Sequence, residues 1–106
     1  MEAHYVEWHI VPFRADRWFA IWRPALDRAL AFGARGAYIT RNEDDPLHFR
    51  QITLWDDRAD QERWWFSDEL SALREEAFKL YQKPIDQHWH DQVADATTQA
   101  SNGAPR

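Results

Sequence analysis

Five histidines and seven tryptophans are the residues of this 106-residue chain that offer the most chemistry. His4, His9, His48, His88 and His90 all fall in stretches that read as β-strands. A neutral imidazole titrates near working pH and can act as general acid or base, which makes His9 and His88 the candidate catalytic residues. His88 and His90 are two apart and share one face of a strand. With His9 or His48 from a nearby strand they form a conceivable three-imidazole metal set. No H-E-x-x-H or comparable helical spacing accompanies them, and a structural or interfacial role is the plain alternative for each ring. The tryptophans offer either a core or a flat pocket, because each indole buries roughly 150–250 Å². Trp8, Trp22, Trp55 and Trp65 are the candidate walls of a pocket for a planar ligand, with Tyr38 and Gln51 as its polar contacts. Gln51 and Thr53 share a strand face with Trp55 and can offer acceptors to buried indole N–H groups. Glu7 and Arg50 are candidates for a cross-strand or intersubunit ion pair.

The elements that must position these residues are legible from spacing. His4 to Phe13 alternates as a strand, with His4, Val6, Trp8, Ile10 and Pro12 on one face and Tyr5, Glu7, His9, Val11 and Phe13 on the other. Large groups on both faces imply that both are covered. Asp16 is the expected cap of a first helix whose buried stripe is Trp18, Ile21, Trp22, Ala25, Leu26, Ala29 and Leu30. Pro24 lies inside it and predicts a kink or restart near Arg23. Gly33 is placed for a left-handed C-terminal turn. Residues 37–42 form a second strand, and the β-formers Phe49, Ile52, Thr53, Leu54 and Trp55 a third. Asp56 and Asp57 end that strand and can cap the helix 58–66. Ser67-Asp68-Glu69 starts another helix, with Leu70, Leu73, Ala77, Leu80 and Tyr81 along one face and Pro84 after its end. Residues 85–93 read as a fourth strand. The order β-α-β-β-α-β is the ferredoxin-like arrangement of an α+β domain, here over residues 1–93. The polar run 94–106 is expected to be a flexible tail.

The stretch from Ile52 through "LWDD", Trp64 or Trp65 and "SDEL" to Arg74 resembles the strand-to-helix segment of the dimeric α/β-barrel superfamily. That superfamily includes antibiotic-biosynthesis-monooxygenase-like, haem-degrading, stress-responsive and NIPSNAP-like proteins. The resemblance implies a homodimer joined through its sheet faces. It also implies two classes of function. One is a small cofactor-independent enzyme, a monooxygenase or a cyclase-like isomerase, acting on an aromatic or polyketide-like molecule. The other is a non-catalytic ligand-binding or structural barrel. The haem-degrading branch uses an Asn, a Trp and an iron-ligating His. Carried over position by position, these fall near Trp8, on Trp55 and near Arg74. Arginine has no lone pair to give iron, so haem use is not expected.

Composition narrows the field further. A net charge of −5 without a basic run argues against a nucleic-acid surface. The absence of cysteine removes disulfides and thiolate chemistry. Three glycines and no phosphate-loop motif argue against nucleotide cradling, so no cofactor and no metal are assigned. No apolar run approaches about 18 residues and the first residues do not read as a signal peptide, so no membrane partner and a cytoplasmic location are expected. A single domain of this size buries only about two-thirds of its unfolded surface, and a second copy would help it.

Overall fold

In a computed structural model, which describes residues 1–96, alternation along the chain becomes a four-stranded antiparallel sheet with helices on one face. The strands are β1 (Glu2–His9), β2 (Gly36–Arg41), β3 (His48–Trp55) and β4 (Asp86–Asp91), in the spatial order β2-β3-β1-β4. β4 therefore lies beside β1, and β1 beside β3, as the ferredoxin-like reading requires. Each of the two helical segments is divided in two: α1 (Ala15–Trp22) and α2 (Pro24–Ala31), then α3 (Arg58–Trp65) and α4 (Asp68–Ala77). A short 3-10 turn, Phe78–Leu80, ends the second segment.

The divisions have local causes. Pro24 occupies the first turn of α2, where its missing N–H costs nothing. The chain restarts there as expected. Asp57 accepts a hydrogen bond from the Ala59 N–H and caps α3. Ser67 Oγ accepts from the Leu70 N–H at 3.3 Å and donates to the Trp64 carbonyl at 2.8 Å. Ser67 thus closes α3 and opens α4, an arrangement worth about 1 kcal/mol relative to alanine. Gly33 has φ +111°, a value that favours glycine, and turns the chain out of α2.

Four expectations need correction. β1 ends at His9, not Phe13; Ile10 makes one further bridge, to Tyr81. Phe13 has φ +69°, is 95% exposed, and belongs to the turn into α1. Asp16 does not cap α1. It lies inside the first turn, and Arg14 holds the cap position without a side-chain bond. Leu30 is 53% exposed, because its side of α2 faces solvent. From residue 97 onward, the expected tail lies outside the described residues; Ala94–Ala96 have no regular structure. Among the described residues no helix is long and apolar enough to cross a membrane.

The core sits between sheet and helices. Val6, Trp8, Trp18, Trp22, Phe49, Trp55, Trp64 and Leu70 are among its members. The opposite face of the sheet carries Tyr5, Glu7, His9, Tyr38, Arg50, Ile52 and Leu54 and, among the described residues, has no helix over it.

Candidate active site between sheet and helices

Side-chain alternation decides which candidate residues meet. Trp8 and Val6 on β1, Gln51 and Trp55 on β3, and Ile39 and Arg41 on β2 point to the helices. Trp18 and Trp22 descend from α1 and Trp64 and Trp65 from α3, all four buried. The rings form a continuous run. Trp8 lies 4.8 Å from Trp22 and 5.2 Å from Trp18, Trp22 is 6.1 Å from Trp65, Trp65 is 5.7 Å from Trp64, and Trp64 is 5.6 Å from Trp55. Trp8 and Trp55 share the helix face but stand at opposite ends of it. Trp8 pairs across to Phe49 and Trp55 across to Glu2, as antiparallel strands dictate.

Two residues that the spacing did not single out for this site adjoin the run. Tyr81 packs edge-on to Trp8 at 5.1 Å. The Arg74 guanidinium lies 4.7 Å over the Trp65 ring, donates to the Trp65 carbonyl, and donates to Ser71 Oγ at 3.1 Å. Burial pushes the Arg74 guanidinium below its ordinary range and pushes the Tyr81 hydroxyl above its own, against the pull of the Arg74 charge. The ion pairs among the described residues use Arg23, Arg28, Arg35, Arg50, Arg58 and Arg63, not Arg74. A partly buried cation without a carboxylate is therefore part of the aromatic cluster. Its sequence signal was present: residues 70, 74 and 77 keep helical spacing, so a charge interrupts an apolar stripe.

Polar groups in this layer are left over. The Trp22 N–H donates to Gln51 Oε1, as the shared strand face suggested for a buried indole. Gln51 Nε2, Thr53 Oγ1 and the N–H groups of Trp8, Trp18 and Trp55 are buried without a partner. Unpaired buried donors are costly and call for an explanation.

Tyr38, His9 and His88 lie elsewhere. Tyr38 pairs with Ile52 on the helix-free face and is 53% exposed. A Cβ at Gly36 would come within 2.8 Å of its hydroxyl, so glycine makes room for that ring. His88 is exposed opposite Tyr5 on the same face. His9 stacks on His48 at 4.5 Å with the rings nearly parallel. Burial, with the nearby Lys83 and His48, holds the His9 imidazole below its ordinary range. His48 Nε2 meets Glu7 at 2.6 Å, and Arg50 donates to the same carboxylate at 2.8 Å, which is the expected Glu7–Arg50 pair with a third member. Burial pushes the Glu7 carboxyl up, but the His48 and Arg50 hydrogen bonds outweigh it and hold the carboxyl below its usual value. The sheet thus separates the candidate histidines from the tryptophan walls. Among the described residues no group of three potential metal ligands comes together.

His4 is the histidine that does face the helices. It is 1% exposed, 3.0 Å from Gln87 Oε1 and 3.3 Å from Gln61 Nε2, between the rings of Trp65 and Trp89. With Gln87 accepting from Nε2 and Gln61 donating to Nδ1, the ring is a neutral tautomer with both nitrogens satisfied. Burial, with a smaller contribution from the Arg58 charge, lowers its pKa to about 4 from 6.5, against the pull of the Gln87 hydrogen bond. The unfolded chain binds this proton below about pH 6.5 while the folded chain does not. Stability contributed by His4 is therefore full above pH 6.5 and lost as pH falls to about 4, by about 3 kcal/mol. Urea midpoints at pH 7 and 4.5 are expected to differ by more in the native protein than in His4→Gln. Proton NMR that finds His4 titrating near 6.5 would refute this.

No family model and no curated protein sequence matches the chain. Its fold does match solved structures. One, described as an antibiotic biosynthesis monooxygenase, superposes with a TM-score of 0.81 at 18% identity over 89% of this chain and 100% of that one. A candidate antibiotic biosynthesis monooxygenase from Nitrosomonas europaea gives 0.82 at 14% identity, over 89% of this chain and 100% of that chain. A Mycobacterium tuberculosis protein gives 0.80 at 13% identity over 91% and 98%. At these identities it is the fold that is shared. The chain has the ferredoxin-like α+β fold of the antibiotic biosynthesis monooxygenase structures.

Proposed function

We propose that the protein is a cofactor-independent monooxygenase acting on an aromatic or polyketide-like phenol bound between sheet and helices. The observation that carries this reading is Arg74, a partly buried cation that pairs with no carboxylate among the described residues, set against Trp65 and near Tyr81, which packs on Trp8. A phenol or enol entering that layer ionises more readily beside a guanidinium in low dielectric. The unpaired N–H groups of Trp8 and Gln51, on neighbouring strands, are donors suited to its oxygens. Trp22 and Trp65 are suited to its ring faces. Electron-rich carbanions of this kind supply their own electrons to dioxygen: a CH₂ becomes C=O, one oxygen atom enters the product and the other leaves as water. His9 and His88 lie on the other side of the sheet and take no part in this step. Oxygen uptake with a hydroxylated anthrone, one O₂ per quinone formed, tests the proposal; no uptake above the uncatalysed rate counts against it.

Close ring packing in the tryptophan run favours the second reading, a non-catalytic barrel in which these residues only pack. A bound ligand then has to displace α3, the short helix that carries Trp65 and ends at Ser67.

We also infer that two copies associate through the helix-free sheet face. Tyr5, Tyr38, Ile52 and Leu54 form an apolar surface there around the Glu7–His48–Arg50 cluster. Light scattering at micromolar concentration is expected to give twice the 12.7 kDa chain mass. The single-chain mass would rule the association out.

A further inference from the structure

Beside Phe49, the helix face of β2 and the first turns of α1 form a separate open cleft of about 360 Å³. From α1 it is lined by the small Ala15 and Ala20 beside Asp16 and Phe19, and from the sheet by Ile39, Arg41 and Phe49. Phe49 is buried and its ring packs on Trp18 at 4.7 Å, so the floor is rigid and apolar. Phe19 contributes a wall and is 40% exposed, an aromatic surface without cover. Arg41 stands at the rim. Its Nε donates to the Pro46 carbonyl at 2.8 Å and its guanidinium lies 4.9 Å over the Phe49 ring, so two contacts orient it. None of the ion pairs among the described residues uses Arg41. Asp16 also lines the cleft. An apolar slot with one oriented guanidinium and one carboxylate selects for a ring that bears an acid and a hydrogen-bond donor.

We propose that this cleft binds a small aromatic carboxylate, its ring between Phe19, Ile39 and Phe49, its acid on the terminal nitrogens of Arg41 and a hydroxyl directed to Asp16. The site is independent of the enzymatic reading, since it uses none of the residues assigned to that role. Its chemistry suits a phenolic acid of one ring, smaller than a polycyclic substrate.

The test is a titration of the full chain with 3-(4-hydroxyphenyl)propionate, followed by NMR at the Ile39 methyl and the Ala20 amide. Saturable shifts at both positions are expected, with a dissociation constant below about 1 mM. The propanol analogue, which lacks the acid, is expected to bind at least tenfold more weakly. Arg41→Gln is expected to weaken the acid at least tenfold, and Ala20→Leu, at an exposed helix position, to block the slot while the spectrum stays folded. Arg14→Gln, which removes a cation outside the cleft, is expected to change nothing. No saturable shift at these positions up to about 5 mM, or binding that Arg41→Gln and Ala20→Leu leave intact, would overturn the proposal.

Discussion

Replacement of Arg74 by glutamine is expected to lower the turnover of a hydroxylated anthrone by about a hundredfold, with a much smaller effect on stability. Glutamine keeps a donor and most of the length but removes the charge. On the proposed function that charge stabilises the developing phenolate, and loss of one such group typically costs about 10²–10³ in rate. The folded state loses less. Arg74 donates to two neutral acceptors, the Trp65 carbonyl and Ser71 Oγ, and no ion pair among the described residues depends on it. Arg74→Lys keeps the charge without the planar fork that lies on Trp65 and is expected to fall between the two. The substrate's apparent pKa in the complex is the discriminating readout. It should rise in Arg74→Gln, whereas a purely structural arginine would leave it unmoved. Turnover within threefold of the native protein would remove Arg74 from the mechanism.

Replacement of Trp55 by alanine is expected to destabilise the fold by roughly 3–5 kcal/mol, read from denaturant midpoints. The ring is fully buried at the end of β3, against Trp64. Its removal leaves a void that β3 and α3 cannot fill, because their own side chains are already engaged with each other. A domain of this size has only about 5–15 kcal/mol in total, so much of the folded population is at stake. Trp55→Phe separates packing from function. The indole N–H has no partner, so its loss breaks no internal hydrogen bond, and the smaller phenyl ring is expected to retain most of the stability. If activity nevertheless falls in Trp55→Phe, the N–H serves a ligand. A midpoint for Trp55→Ala within about 1 kcal/mol of the native protein would show that the ring is not core.

Residue spacing alone carried much of the architecture. Alternation from His4 to Ile10 grouped His4, Val6, Trp8 and Ile10 on one face of β1, the face the structure buries, because strand side chains point to opposite sides. Asp57, Ser67 and Pro24 marked helix boundaries, because free N–H groups, hydroxyl caps and the proline ring act over one or two residues. Local signals erred where the backbone must adjust to the next element of the chain. Phe13 continued the apolar alternation, yet the entry into α1 required a positive φ and left the ring in solvent.

Which chemistry-bearing groups meet was decided by tertiary structure. Tyr38 and Gln51 are both polar strand residues, and only the pairing of Tyr38 with Ile52 and of Ile39 with Gln51 places them on opposite faces. Trp8 and Trp55 both sit at the C-terminal end of their strands, and the antiparallel register sends those ends apart. His9 and His88 share the helix-free face while His4 is enclosed, a division that arises from strand parity once the helices have chosen a side. Arg74 acquires its character only when α4 lays it over Trp65, in no ion pair among the described residues, because electrostatic role depends on distance and dielectric. Periodicity and capping residues thus carry most buried faces and helix boundaries, but not the end of β1, the cap of α1 or the exposure of Leu30; register and packing determine which of the buried groups can act on one molecule.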